Sequence, residues 1–157
     1  NWEFFPQMIY STFMIGIIPL LSIGAWTLLK GEKKYQTIAE EINQNRAAPN
    51  TRNAEVATTL FDIPTDRIRY VEALQNYSKI GYITPQGAIK EKIERITLKD
   101  VLSEAEGSPI VKCHRSYLVN RDAVITANGN AQGLLLSLAD CDKVIPVSRT
   151  WVPEFRG

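Results

Sequence analysis

The sequence predicts a mainly β domain of short antiparallel strands with one short helix, preceded by an N-terminal transmembrane helix that continues into a connector helix. Three observations lead there. Residues 4–29 contain no Asp, Glu, Lys or Arg. Tyr35, Ile38, Ala39 and Ile42 form an apolar stripe at helical spacing. After residue 58, short β-rich runs alternate with turn signals.

Bulk composition hides this division. The chain has 157 residues, 45% hydrophobic and 22% charged, with a formal net charge of +1. It is too apolar for disorder. Nine Gly and eight Pro are too few for low complexity, and two Cys cannot staple a secreted mini-protein. The near-zero charge gives no general attraction to nucleic acid or acidic membranes.

The uncharged run reads FFPQMIYSTFMIGIIPLLSIGAWTLL. As a helix it would extend about 39 Å, more than the ~30 Å hydrocarbon core of a bilayer. Met14, Ile15, Ile17, Ile18, Leu20 and Leu21 point all round the axis, as in a lipid-facing helix. Trp2, Phe4, Phe5 and Tyr10 stand near one end and Trp26 and Tyr35 near the other, as interfacial aromatics do. A buried core helix is rarely this long without a charge. A cleavable signal peptide would need a basic flank before the run and a small-residue site after it. Residues 1–31 are therefore expected to span the lipid bilayer. Glu3 precedes the run while Lys30, Lys33 and Lys34 follow it, which puts the anchor in the cytoplasmic membrane and the C-terminal domain in the cytoplasm. Cys113 and Cys141 would be reduced thiols there. The chain does not open on Met, so it is read as the C-terminal part of something longer.

Residues 32–45 (EKKYQTIAEEINQN) continue the helix with the stripe just described. Such a stripe needs a partner, and pairing of two copies into a homodimer is favoured over packing on the chain's own domain. Residues 46–57 lose periodicity around Pro49 and read as a linker, which puts a domain boundary near Thr58.

Within 58–157 the expected strands are Thr58–Ile63, Arg67–Ala73, Tyr77–Thr84, Ala88–Ile93, Ile110–Cys113, Ala123–Ala127, Gly133–Leu138 and Val144–Val147. The turns between them include Pro64-Thr65-Asp66, Pro85-Gln86-Gly87, Asn128-Gly129-Asn130 and Ala139-Asp140-Cys141-Asp142. Thr97–Glu106 is the helix: Thr97 caps it with Asp100 three residues on, Leu98, Val101, Leu102 and Ala105 share a face, and Gly107 ends it.

Catalysis finds no foothold here. His114 is the sole histidine, and Cys113 beside it points to the opposite face of a strand. Cys113, His114 and Cys141 lack zinc-ligand spacing, and no glycine-rich phosphate loop or opposed carboxylate pair occurs. No enzyme activity, cofactor or metal is expected. Residues 58–157 carry 13 Lys or Arg against 12 Asp or Glu. Three of the cations sit in or beside loops rich in Asn, Ser, Thr or His: Lys79, Arg115 and Arg149. Such side chains bond phosphates and base edges.

Arg69-Tyr70-Val71-Glu72-Ala73, Asn76-Tyr77, Ile96-Thr97-Leu98-Lys99, the block Val111-Lys112-Cys113-His114-Arg115-Ser116-Tyr117-Leu118-Val119-Asn120 and finally Ile145-Pro146-Val147-Ser148-Arg149 closely resemble the LytTR DNA-binding domain of bacterial response regulators. The resemblance covers roughly residues 60–152. It implies a sandwich-like fold of short antiparallel sheets that binds double-stranded DNA through loops entering successive major grooves. Carried onto this chain, the implied contacts are Asn76, Tyr77, Ser78 and Lys79, then His114 and Arg115, then Arg149. Arg115 and Arg149 suit guanine O6 and N7 or a phosphate. His114 donates or accepts according to tautomer. Lys79 is expected at the backbone. Ser116 and Asn120 are expected to tie the turn after the His-Arg pair, and Tyr70, Leu98, Leu102, Leu118 and Val119 to be core.

Two departures stand out. Trp151-Val152-Pro153 is expected to interrupt the short helix that usually follows the Ser-Arg pair, and a membrane helix and linker stand where a receiver domain would. The reading is then a membrane-anchored bacterial transcriptional regulator that grips promoter DNA as a dimer. The alternatives are a membrane-tethered protein-interaction module that has lost DNA binding and, more weakly, a redox switch pairing Cys113 with Cys141.

Overall fold

The computed structural model describes residues 5–46 and 59–156, without the side chains of 5, 12–20 and 27–32. The linker expected over 46–57 lies outside the described residues apart from Arg46, which ends the first helix.

Helix α1 (Phe5–Arg46) is followed by a hairpin of β1 (Thr59–Leu60) and β2 (Ile63–Pro64). Next come β3 (Ile68–Leu74), β4 (Tyr77–Ile83), β5 (Ile89–Glu94), α2 (Leu98–Glu104), β6 (Ile110–His114) and β7 (Tyr117–Asn120). The chain ends with β8 (Val124–Asn130), β9 (Gly133–Leu138), β10 (Cys141–Val147) and α3 (Val152–Phe155). Strands β5-β4-β3-β7-β6 form a five-stranded antiparallel sheet, and β10-β9-β8 a three-stranded one.

The central strands of the five-stranded sheet are covered on both faces, whereas the edge strand β5 is largely exposed. Because side chains alternate along a strand, neighbours serve different cores. Val71 and Leu118 face Leu98, Val101, Ala105 and the β1–β2 hairpin. Tyr70 and Val119 face the three-stranded sheet, where Leu134, Leu136, Leu138, Ile145 and Val147 are buried. Thr97 caps α2 as expected, its Oγ1 accepting from the Asp100 N–H.

Several expectations are corrected. Among the described residues, no helix is long and apolar enough to cross a membrane. The described side chains in the N-terminal part of α1 mix Met8, Ile9, Leu21 and Ile23 with Gln7, Ser11 and Ser22, and absence of charge is not continuous hydrophobicity. The expected transmembrane helix, the lipid bilayer as partner and the location in the cytoplasmic membrane have no support in this helix.

The stripe on residues 32–45 does not await a second copy. Tyr35, Ile38, Ala39 and Ile42 are buried in the core between the sheets, so the homodimer contact through 32–45 gives way to packing on the chain's own β8. Asn128-Gly129-Asn130 is strand rather than turn, and the turn falls at Ala131-Gln132. Gly129 is needed because a Cβ there would overlap the Tyr35 backbone carbonyl.

Trp151-Val152-Pro153 does not abolish the final helix either. Pro153 lies in the first turn of α3, where its missing N–H costs no helical bond. Strand β7, absent from the expected set, follows a two-residue turn with neither Gly nor Pro to signal it.

Asn120 acts elsewhere than expected. It is 1% exposed. Its Nδ2 donates to the carbonyls of Thr65 (3.1 Å) and Ile68 (2.9 Å), while Oδ1 accepts from the Asp122 N–H (2.9 Å). It ties the start of β3 to the end of β7. Asn120→Ala would leave two buried carbonyls short of donors and is expected to destabilise the fold by about 1–3 kcal/mol. Urea unfolding measures this, and an unchanged midpoint contradicts it.

Candidate nucleic-acid interface

Three short connections from distant parts of the chain meet at one end of the domain. The β3–β4 turn (Gln75-Asn76) adjoins the β6–β7 turn (Arg115-Ser116) because the Ala73 N–H donates to the Ser116 carbonyl at 2.9 Å. The loop after β10 joins them through the Ser148 N–H, which donates to the Cys113 carbonyl at 2.9 Å. Beside that loop runs the β8–β9 turn, whose Ala131 carbonyl accepts from Arg149 Nη2 at 3.0 Å. His114, Asn130, Gln132, Pro146, Ser148 and Arg149 border a shallow cleft of about 380 Å³.

His114 is oriented by its own turn. Its Nδ1 accepts from the Ser116 N–H at 3.2 Å, so the neutral ring carries its proton on Nε2. That leaves a donor for a phosphate oxygen or a base acceptor. The ring lies tilted against Tyr117, with centroids 5.9 Å apart. Ser116 acts in this turn through its backbone N–H and carbonyl, groups that most residues at that position would supply. Arg115 and Arg149 are exposed, and among the described residues neither is ion-paired to a carboxylate. Asn76 and Tyr77 are also exposed, at the tip of the first turn.

Two expected contacts do not belong with these. Ser78 is 0% exposed and donates to the Ile96 carbonyl at 2.7 Å, which makes it a brace between β4 and the segment before α2. Lys79 lies on the sheet face, not in the loop, with Nζ 2.9 Å from Glu72 Oε2 and 3.4 Å from Glu91 Oε1. Conversely, Asn130 and Gln132 border the cleft but were absent from the expected contacts. Their signal in the sequence is the Asn-rich segment at 128–130, whose composition is that of a turn.

Residues 58–157 match the LytTr DNA-binding domain family, nearly two thirds of the chain. The chain belongs to that family. It is 34% identical over 80 residues to an uncharacterized response regulatory protein of Vibrio cholerae serotype O1, covering 51% of this chain and 32% of that relative. The chain thus spans about a third of that relative's length. The fold is similar to the LytTr DNA-binding domain of a Bacillus cereus protein, with a TM-score of 0.51, 20% identity, and coverage of 64% of this chain and 92% of the other. The matched family is a DNA-binding one.

Under the loop end of this LytTr domain lies a compact polar cluster. Tyr70 donates to Glu91 and Tyr117 to Glu72, both at 2.6 Å. Lys143 from β10 reaches Glu72 Oε2 at 2.6 Å and lies over the Tyr70 ring, 4.6 Å from its centroid. The cluster therefore joins the two sheets. Burial by itself would push the Glu72 carboxyl up, but hydrogen bonds from Lys143, Tyr117 and Lys79 outweigh it and bring its pKa from 4.5 down to about 2. The bond to Glu72, with burial, pushes the Tyr117 phenol up to about 12. Cys113 is buried as well. Burial pushes its thiol up to about 12, and both it and Cys141 are free thiols.

A carboxyl held more acidic in the folded chain stabilises it above the unfolded pKa. That contribution is present above pH 4.5 and is lost as pH falls toward 2. Urea titrations between pH 6 and pH 3 should show it in the wild type, with a flatter profile in Glu72→Gln and a loss on the order of 1–3 kcal/mol at pH 7. Parallel profiles for the two proteins would remove Glu72 as the titrating group.

Proposed function

We propose that this chain is a transcriptional regulator that reads promoter DNA through the loop end of its LytTr domain. Asn76, Tyr77, His114, Arg115 and Arg149 are the contacting residues, and Asn130, Gln132 and Ser148 flank Arg149. The observation that carries the reading is the convergence of four connections on one end: backbone hydrogen bonds fasten the β3–β4 turn, the β6–β7 turn and the loop after β10, and the Arg149 side chain fastens that loop to the β8–β9 turn. Their two arginines are exposed and have no acidic partner among the described residues. This arrangement answers the objection raised by a net charge of +1. Lys79 and Lys143 are neutralised by Glu72 and Glu91 within the cluster, while Arg115 and Arg149 stay available at the surface. A small number of well-placed guanidinium groups supplies bidentate contacts to guanine or phosphate without a basic patch.

Binding to a duplex selected from a random pool by the full chain tests this. Arg115→Ala and Arg149→Ala should each lose about 1–3 kcal/mol, and binding should weaken steeply with salt. Lys79→Ala should change affinity by less than about threefold, since its ammonium already serves two carboxylates. Wild-type affinity in both arginine variants would instead favour a protein-interaction module built on the same fold.

A further inference from the structure

Helix α1 lies outside the segment matched to the family, yet its last turns touch the elements on both sides of the Arg149 loop. We propose that residues 35–46 of α1 are a positioning element for Arg149, so that DNA affinity depends on how this helix is docked. The inference rests on the loop end being the DNA-contacting surface.

Contact begins at β8, one of the two edge strands of the three-stranded sheet. The helix backbone at Tyr35 and Gln36 lies directly on Gly129, with no room for a Cβ. Further along, Asn43 serves both backbone groups of Ala127: Nδ2 donates to its carbonyl at 3.0 Å, and Oδ1 accepts from its N–H at 2.8 Å. Arg46 Nη1 donates to the carbonyls of Arg121 (2.7 Å) and Val124 (2.9 Å). At Val124 and Ala127 the edge of β8, which would otherwise present unpaired groups, is thus satisfied by helix side chains.

From β8 the connection to Arg149 is short. Asn130 follows Gly129, and its Oδ1 accepts from the N–H groups of Gln132 and Gly133, both at 2.9 Å, which builds the β8–β9 turn. Ala131 in that turn offers the carbonyl that holds the Arg149 guanidinium. Gly133 sits against the Val147 carbonyl, two residues before Arg149, again without space for a Cβ. On the other side, the loop runs into α3, and just past its end Arg156 Nε pairs with Glu41 of α1 at 2.9 Å. Val152 and Phe155 of α3 share the core with Tyr35, Ile38 and Ile42.

The consequence for binding is physical. A free arginine loses substantial rotamer entropy when it is fixed on DNA, and a side chain already held by a carbonyl loses less. Undocking α1 removes the donors from β8 and uncovers the apolar stripe. The turn then loosens, Arg149 loses its fixed anchor, and part of the entropy cost returns on binding. Signals that act on the N-terminal part of α1 would reach the DNA surface by this route.

The test uses the full chain and the duplex that it selects. A wild type that binds no duplex overturns both this proposal and the DNA-binding reading. With binding established, Gly129→Ala and Asn43→Ala should each weaken it by about tenfold, measured at low salt so that weak variants still register. The same substitutions made in the R149A background should weaken it by less than about twofold, because the contact they act through is already gone. Equal losses in both backgrounds would mean general destabilisation and overturn the proposal, as would no loss in either. Should Gly129→Ala fail to fold, Asn43→Ala and Glu41→Gln carry the same comparison.

Discussion

Strands β3 and β7 pair at the centre of the five-stranded sheet, with Tyr70 opposite Val119 and Val71 opposite Leu118. Each pair faces a different core, and all four residues are nearly or fully buried. This two-sided burial is the constraint from which the remaining architecture follows. One face requires α2 and the β1–β2 hairpin, and the other requires the three-stranded sheet with α1 and α3. A change of register by one residue would exchange the two faces and expose both cores at once. Asn120 at the end of β7, hydrogen-bonded to Thr65 and Ile68, closes the same pair at its buried end.

The candidate interface depends on that pairing. Because β3 and β7 are held in register, the turns that follow and precede them emerge side by side, and the Ala73–Ser116 bond joins them. The Glu72 cluster then links this sheet to β10 through Lys143, which carries the Arg149 loop to the same end. Charge is divided by position. The cations within the cluster are spent on carboxylates that hold the sheets together, while those on the turns remain exposed. A near-neutral domain can therefore present a locally cationic surface.

Much of this was legible from residue pattern. The short strands at 68–74, 77–83, 89–94 and 133–138 followed alternation and turn residues, and Thr97 announced its helix. The order of the Tyr70, His114 and Arg149 blocks points to the LytTr family independently of the fold. What misled was local ambiguity. An uncharged run resembles a membrane span unless its Gln, Ser and Tyr content is weighed against its Ile and Leu. Asn128-Gly129-Asn130 has the composition of a turn, yet its glycine exists to admit the backbone of α1. Ser78 and Lys79 sit beside the turn in sequence, but strand alternation sends one into the core and the other onto the sheet face.

The amino-acid sequence by itself determined the mainly β class, the capped helix, the apolar stripe at 35–42 and the family, because these rest on short-range periodicity and on motifs contiguous along the chain. Only the tertiary structure decided what covers the stripe, which cations are neutralised, which ring nitrogen of His114 is left to donate, and that the Arg149 loop lies between elements touched by α1. Each of those depends on contacts between residues far apart in sequence, as with Asn43 and Ala127 or Lys143 and Glu72. Periodicity along one segment carries no record of the surface that it will meet.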